Sequence, residues 1–86
     1  MKSTELVIQQ EEGLHARPAS IFVRAAARFK CDVSLTAGGT TVNGKSIMGL
    51  LMLALSAGTK VTLTTDGVDE QEALVALRDM LSGNFE

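Results

Sequence analysis

The 86-residue sequence predicts an α+β fold, in which a four-stranded antiparallel sheet carries three helices on one face. Short segments that alternate polar and apolar residues indicate strands with one solvent-exposed face. Two longer segments repeat apolar residues at spacings of three and four, and a third, shorter segment follows a good helix-capping residue. The resulting order is βαββαβα. Strands with one wet face are typical of antiparallel sheets, so we expect the helices to cover the other face.

The first half of the chain predicts three strands and one helix. The predicted elements are strands at 5–9, 31–37 and 40–43, and a helix from Ala16 to about Phe29, with Ala19, Phe22, Val23, Ala26 and Phe29 on its buried face. Cys31 occupies one of the alternate positions of its strand that are predicted to face the core, so we expect it to be a small core residue. Gly38-Gly39 indicates a tight hairpin between the second and third strands.

The second half predicts two helices and a strand. Ser46 follows a turn and is a good N-cap for a short helix from Ile47 to about Leu53. This helix is apolar nearly all round, so part of it must reach the surface as a docking patch, drawn from Ile47, Met48, Leu51 and Met52. A strand over 60–65 and a helix to about Ser82 follow. Asp69 and Glu72 resemble a capping box, Val68 could pack on Ala73, and Gly83 would end the helix.

Composition excludes several functional classes. The length allows a single domain over residues 1–86. A net charge of -2, with three Phe and no Tyr or Trp, argues against a nucleic-acid partner. Cys31 is the only cysteine, which excludes an internal disulfide and fits a reducing compartment. No apolar run is long enough for a membrane span and the first residues do not resemble a signal peptide, so we expect a cytoplasmic location.

The segment Gly13-Leu14-His15-Ala16-Arg17-Pro18 is the candidate site. It holds the only histidine, at the predicted N-cap of the first helix, beside the free backbone N–H groups of Ala16 and Arg17. A cation in the first turn of a helix is unfavourable by about 0.3–1 kcal/mol, so Arg17 makes better sense if an anion binds there. A neutral imidazole can attack a phosphoryl donor and form a phosphohistidine.

The remaining residues predict a carrier that depends on partner proteins. Arg17, Arg24 and Arg28 lie at spacings of seven and four and so share one helix face. No carboxylate partner of His15 follows from spacing. With one His and one Cys there is no metal-ligand cluster, and no phosphate-binding glycine loop is present. We therefore expect neither a metal nor a cofactor, and not a self-sufficient enzyme.

Two motifs carry a resemblance to a known family. The segment 13–18 matches the active-site signature of HPr, the histidine-containing phosphocarrier of the bacterial phosphotransferase system. Asn43-Gly44-Lys45-Ser46-Ile47-Met48-Gly49 resembles the regulatory serine segment of that family. The resemblance extends over essentially the whole chain and includes its length and element order.

The resemblance implies a fold, a function and a set of partners. It implies an open-faced β-sandwich, in which His15 takes a phosphoryl group on Nδ1 from enzyme I, ultimately from phosphoenolpyruvate, and passes it to an enzyme IIA domain. Arg17 would assist, and an HPr kinase/phosphorylase would modify Ser46. The implied docking residues are Arg24, Arg28, Ile47, Met48 and Leu51. We expect the chain to be a monomer.

Some features depart from the family pattern or leave alternatives open. Glu12 replaces a small polar residue near the site. Segments 50–53 and 82–86 are similar to the nitrogen-related branch, NPr, so sugar uptake and regulation both remain open. The element order also suits a small acylphosphatase-like hydrolase, and the patch around Met48 suits a purely regulatory binding module.

Overall fold

The computed structural model describes residues 1–8, 16–53, 56 and 58–82, and their elements follow the predicted βαββαβα order. The elements are β1 (Lys2–Val7), α1 (Ala16–Ala27), β2 (Asp32–Ala37), β3 (Thr40–Asn43), α2 (Ile47–Leu53), β4 (Lys60–Asp66) and α3 (Glu70–Leu81). The bounds of β3 and α2 coincide with those predicted from the sequence.

The four strands form one antiparallel sheet in the order β1-β4-β2-β3. Leu63 of β4 lies opposite Leu35 of β2, and both are fully buried. Their neighbours along each strand, such as Thr62 and Thr36, point to the opposite face, because side chains alternate along a strand. The sheet therefore has one face in the core and one polar face, as the alternation predicted.

All three helices contribute to a single core on the apolar face of the sheet. The buried apolar residues are Ile8, Ala19, Phe22, Ala26, Cys31, Val33, Leu35, Leu50, Val61, Leu63, Ala73, Leu74, Leu77 and Leu81. The first helix buries Phe22 and two alanines, the third buries a stripe that includes Leu77, and α2 contributes only Leu50 among its described residues. The predicted α+β arrangement of three helices on one face is confirmed.

The hairpin between β2 and β3 has the predicted turn. Gly38 and Gly39 have φ values of 57° and 83°, a backbone conformation that other residues adopt with strain. The hydroxyls of Thr36 and Thr41, which lie opposite each other, are 2.8 Å apart. The hairpin fixes β3 at the edge of the sheet, where α2 packs against it.

Several local predictions differ from the structure. Helix α1 ends at Ala27 and not near Phe29. Strand β1 begins at Lys2 and not at Glu5, because β4 supplies pairing partners as far as Thr65. Asp69 precedes α3 but makes no capping hydrogen bond through its side chain, so the capping box is wrong. Val68 is 86% exposed, which excludes the predicted packing on Ala73. Gly83 lies outside the described residues.

None of the helices in the described part of the chain is long and apolar enough to cross a membrane.

Candidate functional site

The candidate site begins at the first turn of α1. The helix starts at Ala16, and its first turn contains no acidic residue. His15 is the preceding residue in the sequence but lies outside the described residues, together with 9–14. Its role as phosphoryl acceptor stays a prediction. The first backbone N–H groups of a helix have no partner within the helix, so this turn is a favourable place for an anion.

Arg17 is the charged side chain of this turn. It is exposed and forms no ion pair with the described residues. Arg24 is also exposed, and so is Arg28, which directly follows the last residue of α1, so all three cations of the predicted basic face lie on the surface. Arg24 lies in the last turn of the helix, where a cation is favourable, whereas Arg17 lies in the first turn, where it is not. The guanidinium of Arg17 is therefore available to an external anion.

The docking patch, defined as Ile47, Met48, Leu51 and Met52, lies on α2. All four side chains are exposed, while Leu50 on the opposite side is fully buried. Helices α1 and α2 contact each other, so the basic face and the docking patch lie on neighbouring helices. The exposure of the patch was predicted from the small size of the domain. Its function as a binding surface stays a prediction.

Ser46 caps α2 as predicted. Its Oγ accepts a hydrogen bond of 3.1 Å from the Gly49 N–H, and its carbonyl accepts one from the Leu50 N–H. The preceding turn is held by Asn43, whose side-chain oxygen accepts a hydrogen bond from the Lys45 N–H at 2.9 Å. The Ser46 side chain is half-buried. Its position at a helix N-terminus can accommodate negative charge.

Lys45 connects the start of α2 to the end of α1, a contact that the sequence analysis missed. Its Nζ donates a 2.8 Å hydrogen bond to the carbonyl of Phe29. The Arg28 and Phe29 N–H groups donate to carbonyls three residues earlier, so the chain forms a tighter turn directly after Ala27, where the α-helix ends. A cation at this end is favourable with the helix dipole. The lysine therefore fixes the two helices that carry the basic face and the docking patch.

Asp69 has a structural role that sequence reasoning also missed. Its carboxylate accepts hydrogen bonds from the N–H groups of Lys30 and Cys31, at 2.8 and 2.9 Å. The bond from Lys30 is the main reason that the pKa of Asp69 is lowered from its ordinary value of 3.8. Burial, followed by the nearby Asp69 carboxylate, raises the pKa of the Cys31 thiol. The partners of Asp69 are distant in sequence, so no local signal could have identified them.

Glu70 organises the first turn of α3. Its carboxylate accepts hydrogen bonds from the Gly67 N–H and from the Met1 ammonium, each at 3.0 Å. The hydrogen bond from the Gly67 N–H is the main reason that the pKa of Glu70 is lowered, and the hydrogen bond from the ammonium is the next. The pKa of that ammonium is raised in turn, chiefly by Glu70. Carboxylates of the chain itself thus occupy this helix N-terminus.

The described residues hold no other candidate centre. No group of three His, Cys, Asp or Glu among them could hold a metal ion. An open depression of about 380 Å³ lies beside β2 and β3 and includes none of the predicted site residues. Its lining residues are Asp32, Val33, Ser34, Thr41, Val42, Asn43 and Lys45.

The chain is similar to known proteins over almost its whole length. The family profile described as "PTS HPr component phosphorylation site" matches residues 2–82. The phosphocarrier protein HPr of Neisseria meningitidis serogroup A is 47% identical over 85 residues, which cover 99% of this chain and 96% of that protein.

Two solved structures are similar over nearly the whole chain. HPr-C-His from Thermoanaerobacter tengcongensis has a TM-score of 0.94 and 41% identity, covering 99% of this chain and 96% of that one. Crh, the catabolite repression protein of Bacillus subtilis, has a TM-score of 0.77 and 49% identity, covering 94% of this chain and 93% of that one. The Crh structure is described as a dimer with a swapping domain.

The profile match spans almost all of the sequence, and the full-length identity and the shared fold point to the same group of proteins. The chain belongs to the HPr family of phosphocarrier proteins.

Proposed function

We propose that this protein carries a phosphoryl group on His15, which it accepts from enzyme I and donates to an enzyme IIA domain. The observation that carries the proposal is the first turn of α1, which follows His15 directly, lacks acidic residues and presents the exposed cation of Arg17. An anion at this turn is favoured by the unpaired N–H groups and by the helix dipole.

The transfer is a displacement at phosphorus. The neutral imidazole of His15 attacks the phosphoryl group through Nδ1, the bond between phosphorus and the donor breaks, and the imidazole takes up the phosphoryl group. The N–H groups of Ala16 and Arg17 and the guanidinium of Arg17 stabilise the charge on the phosphoryl oxygens. Their hold is modest, because tight binding of the phosphorylated state would oppose onward transfer. The chain acts as a stoichiometric carrier.

The test is phosphorylation by purified enzyme I with phosphoenolpyruvate. We expect one acid-labile, base-stable phosphoryl group per chain, and none in His15→Ala. A His15→Ala chain that still takes up the group would overturn the assignment. The isolated protein should show no turnover of a small acyl phosphate, since turnover would favour the hydrolase alternative. Onward transfer to sugar-specific or nitrogen-related IIA domains would identify the branch of the family.

We propose that enzyme I and IIA domains dock on the basic face and the docking patch. Arg24 and Arg28 are exposed, α1 contacts α2, and Ile47, Met48 and Leu51 offer an exposed apolar surface. Such a surface suits a partner with an apolar centre and an acidic rim.

We also propose that the chain works as a single domain in the cytoplasm. It needs no cofactor.

We propose that Ser46 is a regulatory phosphorylation site for a dedicated kinase. Its hydroxyl lies at the N-terminus of α2, next to Ile47 and close in sequence to Met48, so a phosphate would bring negative charge to the docking patch. The helix N-terminus tolerates the dianion, so the fold should survive.

The test of this role is Ser46→Asp, with Ser46→Asn as a neutral capping control. Both variants should fold, since Asp and Asn are good N-caps. The aspartate should accept the phosphoryl group from enzyme I roughly three- to tenfold more slowly, because negative charge repels an acidic partner. Equal rates for the two variants would mean that Ser46 is only a cap.

We propose that the working form is a monomer, although Crh is a dimer with a swapping domain. In the present structure β1 pairs with β4 of the same chain from Lys2 to Val7. Light scattering after size exclusion should give the monomer mass at micromolar concentration. A stable dimer would support exchange of a segment between two copies.

A further inference from the structure

The four methionines of the chain differ in exposure, and two exposed ones are neighbours on α2. Met48 is 70% exposed and Met52 is 78% exposed. They are four residues apart, so their side chains lie next to each other on one helix face. Met1 is equally exposed but lies at the start of the chain, whereas Met80 of α3 is partly buried against the core.

The single thiol is protected from oxidants. Cys31 is 1% exposed and lies in the core cluster. Its pKa is raised, first by burial and then by Asp69, which disfavours the thiolate that reacts with peroxides. The sulfur atoms that a soluble oxidant meets first on the described surface are therefore thioethers, and two of them form half of the docking patch.

We propose that Met48 and Met52 form a peroxide-sensitive modification site whose oxidation weakens partner docking on α2. The effect on docking rests on the proposed function, but the modification itself does not. In the reaction a sulfur lone pair attacks one oxygen of hydrogen peroxide. The S–O bond forms as the O–O bond breaks, and the departing hydroxide takes up a proton as water. Each sulfur loses two electrons, and the peroxide gains them.

Oxidation at this site changes the surface and leaves the core in place. A sulfoxide is polar, so two of them would interrupt the apolar surface made with Ile47 and Leu51. The helix is anchored by Leu50, which is fully buried, and its start is capped by Ser46. Neither anchor involves Met48 or Met52. The modified chain should therefore stay folded and lose affinity for its partner.

The first test maps the modification without any partner. The folded chain is treated with limiting hydrogen peroxide, and sulfoxide at each methionine is followed by peptide mass spectrometry. Met48 and Met52 should react at least about threefold faster than Met80, and Cys31 should stay unmodified, since reactivity follows exposure. The difference should disappear in urea. Equal rates in the folded chain, or faster reaction at Met80, would overturn the modification site.

The second test measures acceptance of a phosphoryl group from enzyme I before and after peroxide. The oxidant is removed with catalase before enzyme I is added. The readout is the ratio of the two rates for the same variant, so that any change in the basal rate cancels. The wild-type rate should fall roughly five- to tenfold at low carrier concentration, since the loss of a buried apolar group corresponds to about a tenfold change in affinity.

Two variants identify the cause of the loss. Met48→Leu/Met52→Leu keeps the patch apolar and should retain its rate after peroxide, whereas Met80→Leu should stay as sensitive as wild type. The two methionine sulfoxide reductases, one for each sulfoxide epimer, should restore the wild-type rate with a dithiol, as the sulfoxide oxygen leaves as water and the dithiol becomes a disulfide. Equal inhibition of the double variant would overturn the effect on docking.

The two tests separate failure of this inference from failure of the proposed function. If the untreated chain accepts a phosphoryl group and full oxidation of Met48 and Met52 leaves the rate unchanged, the inference is wrong and the proposed function stands. If enzyme I does not phosphorylate the untreated chain, the proposed function and the effect on docking both fail. The oxidation map would then still decide for or against the modification site.

Discussion

The first turns of α1 and α3 have opposite charge. The first turn of α3 contains Glu70 and Glu72, and the Glu70 carboxylate accepts the Gly67 N–H. The first turn of α1 contains no acidic residue and carries Arg17. Both helices have 12 residues, so the partial positive charge at their N-termini is comparable. Acidic side chains of the chain itself balance that charge at α3, whereas a cation adds to it at α1.

The difference separates a helix end that contributes to the fold from one that we propose to bind an anion. At α3 the Glu70 carboxylate is bonded within the molecule to the Gly67 N–H and the Met1 ammonium, which stabilises the fold, and the acidic first turn leaves little attraction for an external anion. At α1 the unfavourable cation lowers stability slightly and favours an external anion. Changes at the α3 end should therefore alter stability with little effect on phosphoryl transfer, and changes at the α1 end should do the opposite.

The largest effect on stability is expected for Gly67→Ala. A Cβ at Gly67 would lie 2.6 Å from the Cα of Cys31 and 2.7 Å from its Cβ, and the φ of 153° is unfavourable for alanine. Backbone must move to relieve this overlap, so we expect a loss of about 3 kcal/mol in the free energy of unfolding. Urea denaturation followed by circular dichroism measures the loss.

The matched control is Gly58→Ala. Gly58 also has a positive φ, of 86°, but nothing lies within 4 Å of a Cβ there. Its variant should lose only about 1–2 kcal/mol, the cost of the left-handed conformation for alanine. Equal losses at the two positions would show that close packing at the start of α3 is unimportant. The folded fraction of Gly67→Ala should still accept the phosphoryl group.

Arg17→Ala should slow transfer and leave the fold intact. A charge-assisted hydrogen bond contributes about 1.5–3 kcal/mol, so the rate of phosphoryl acceptance at saturating enzyme I should fall roughly 10- to 100-fold. The free energy of unfolding should rise by about 0.3–1 kcal/mol, because a cation leaves the positive end of the helix. Stopped-flow transfer and urea denaturation on the same sample measure both changes.

Arg28→Ala provides the comparison for Arg17. It removes an exposed cation directly after the last residue of α1, far from the first turn. The concentration of carrier needed for half-maximal transfer should rise while the saturating rate stays the same. The reason is that a charge at the rim of an interface mainly changes the rate at which the two proteins associate. A loss of saturating rate in Arg28→Ala as large as in Arg17→Ala would remove the special role of the first turn.

The smallest effect is the pH dependence that Asp69 contributes. Hydrogen bonding lowers its pKa in the folded state below the ordinary value of 3.8, with the Lys30 N–H as the main cause. A lowered folded pKa gives stability that is present above the unfolded pKa and is lost as the pH falls through the folded pKa. Urea midpoints measured from pH 7 to pH 3 should therefore decline less steeply in Asp69→Asn than in wild type.

Glu70 provides a second contribution of the same sign. Its pKa is lowered from 4.5, chiefly by the Gly67 N–H, so its stabilisation is also lost as the pH falls. In the double variant Asp69→Asn/Glu70→Gln, the urea midpoint should decline less steeply towards low pH than in either single variant. A profile in Asp69→Asn as steep as that of wild type would mean that the carboxylate has no net effect on folding.

Local signals in the sequence predicted most elements of the fold. The strand over Thr40–Asn43 follows a two-glycine turn, and the helix over Ile47–Leu53 follows a capping serine, so both have the predicted bounds. These signals work because each depends on residues a few positions apart. The exposure of one face of α2 was predicted from the apolar character of this segment together with the small size of the domain.

Apart from the packing of Val68 on Ala73, the main errors concern contacts between residues that are distant in sequence. Asp69 has the residue type and position of an N-cap, but the Lys30 and Cys31 N–H groups, 39 and 38 residues earlier, bind its carboxylate. The same applies to the link between Lys45 and Phe29. In the candidate site, the position of Arg17 in the first turn of α1 was predicted correctly, whereas its role in phosphoryl transfer and that of His15 stay predictions.

The position of β1 at the edge of the sheet has a consequence for the order of folding. Lys2, near the start of the chain, pairs with Thr65 on β4, so β1 can join only when segments separated by most of the intervening chain come together. Bringing distant segments together reduces chain entropy, which slows contacts of this kind. The β2–β3 hairpin closes a very short loop. We expect pulsed hydrogen exchange during refolding to protect β2 and β3 before β1, and earlier protection of β1 would contradict this order.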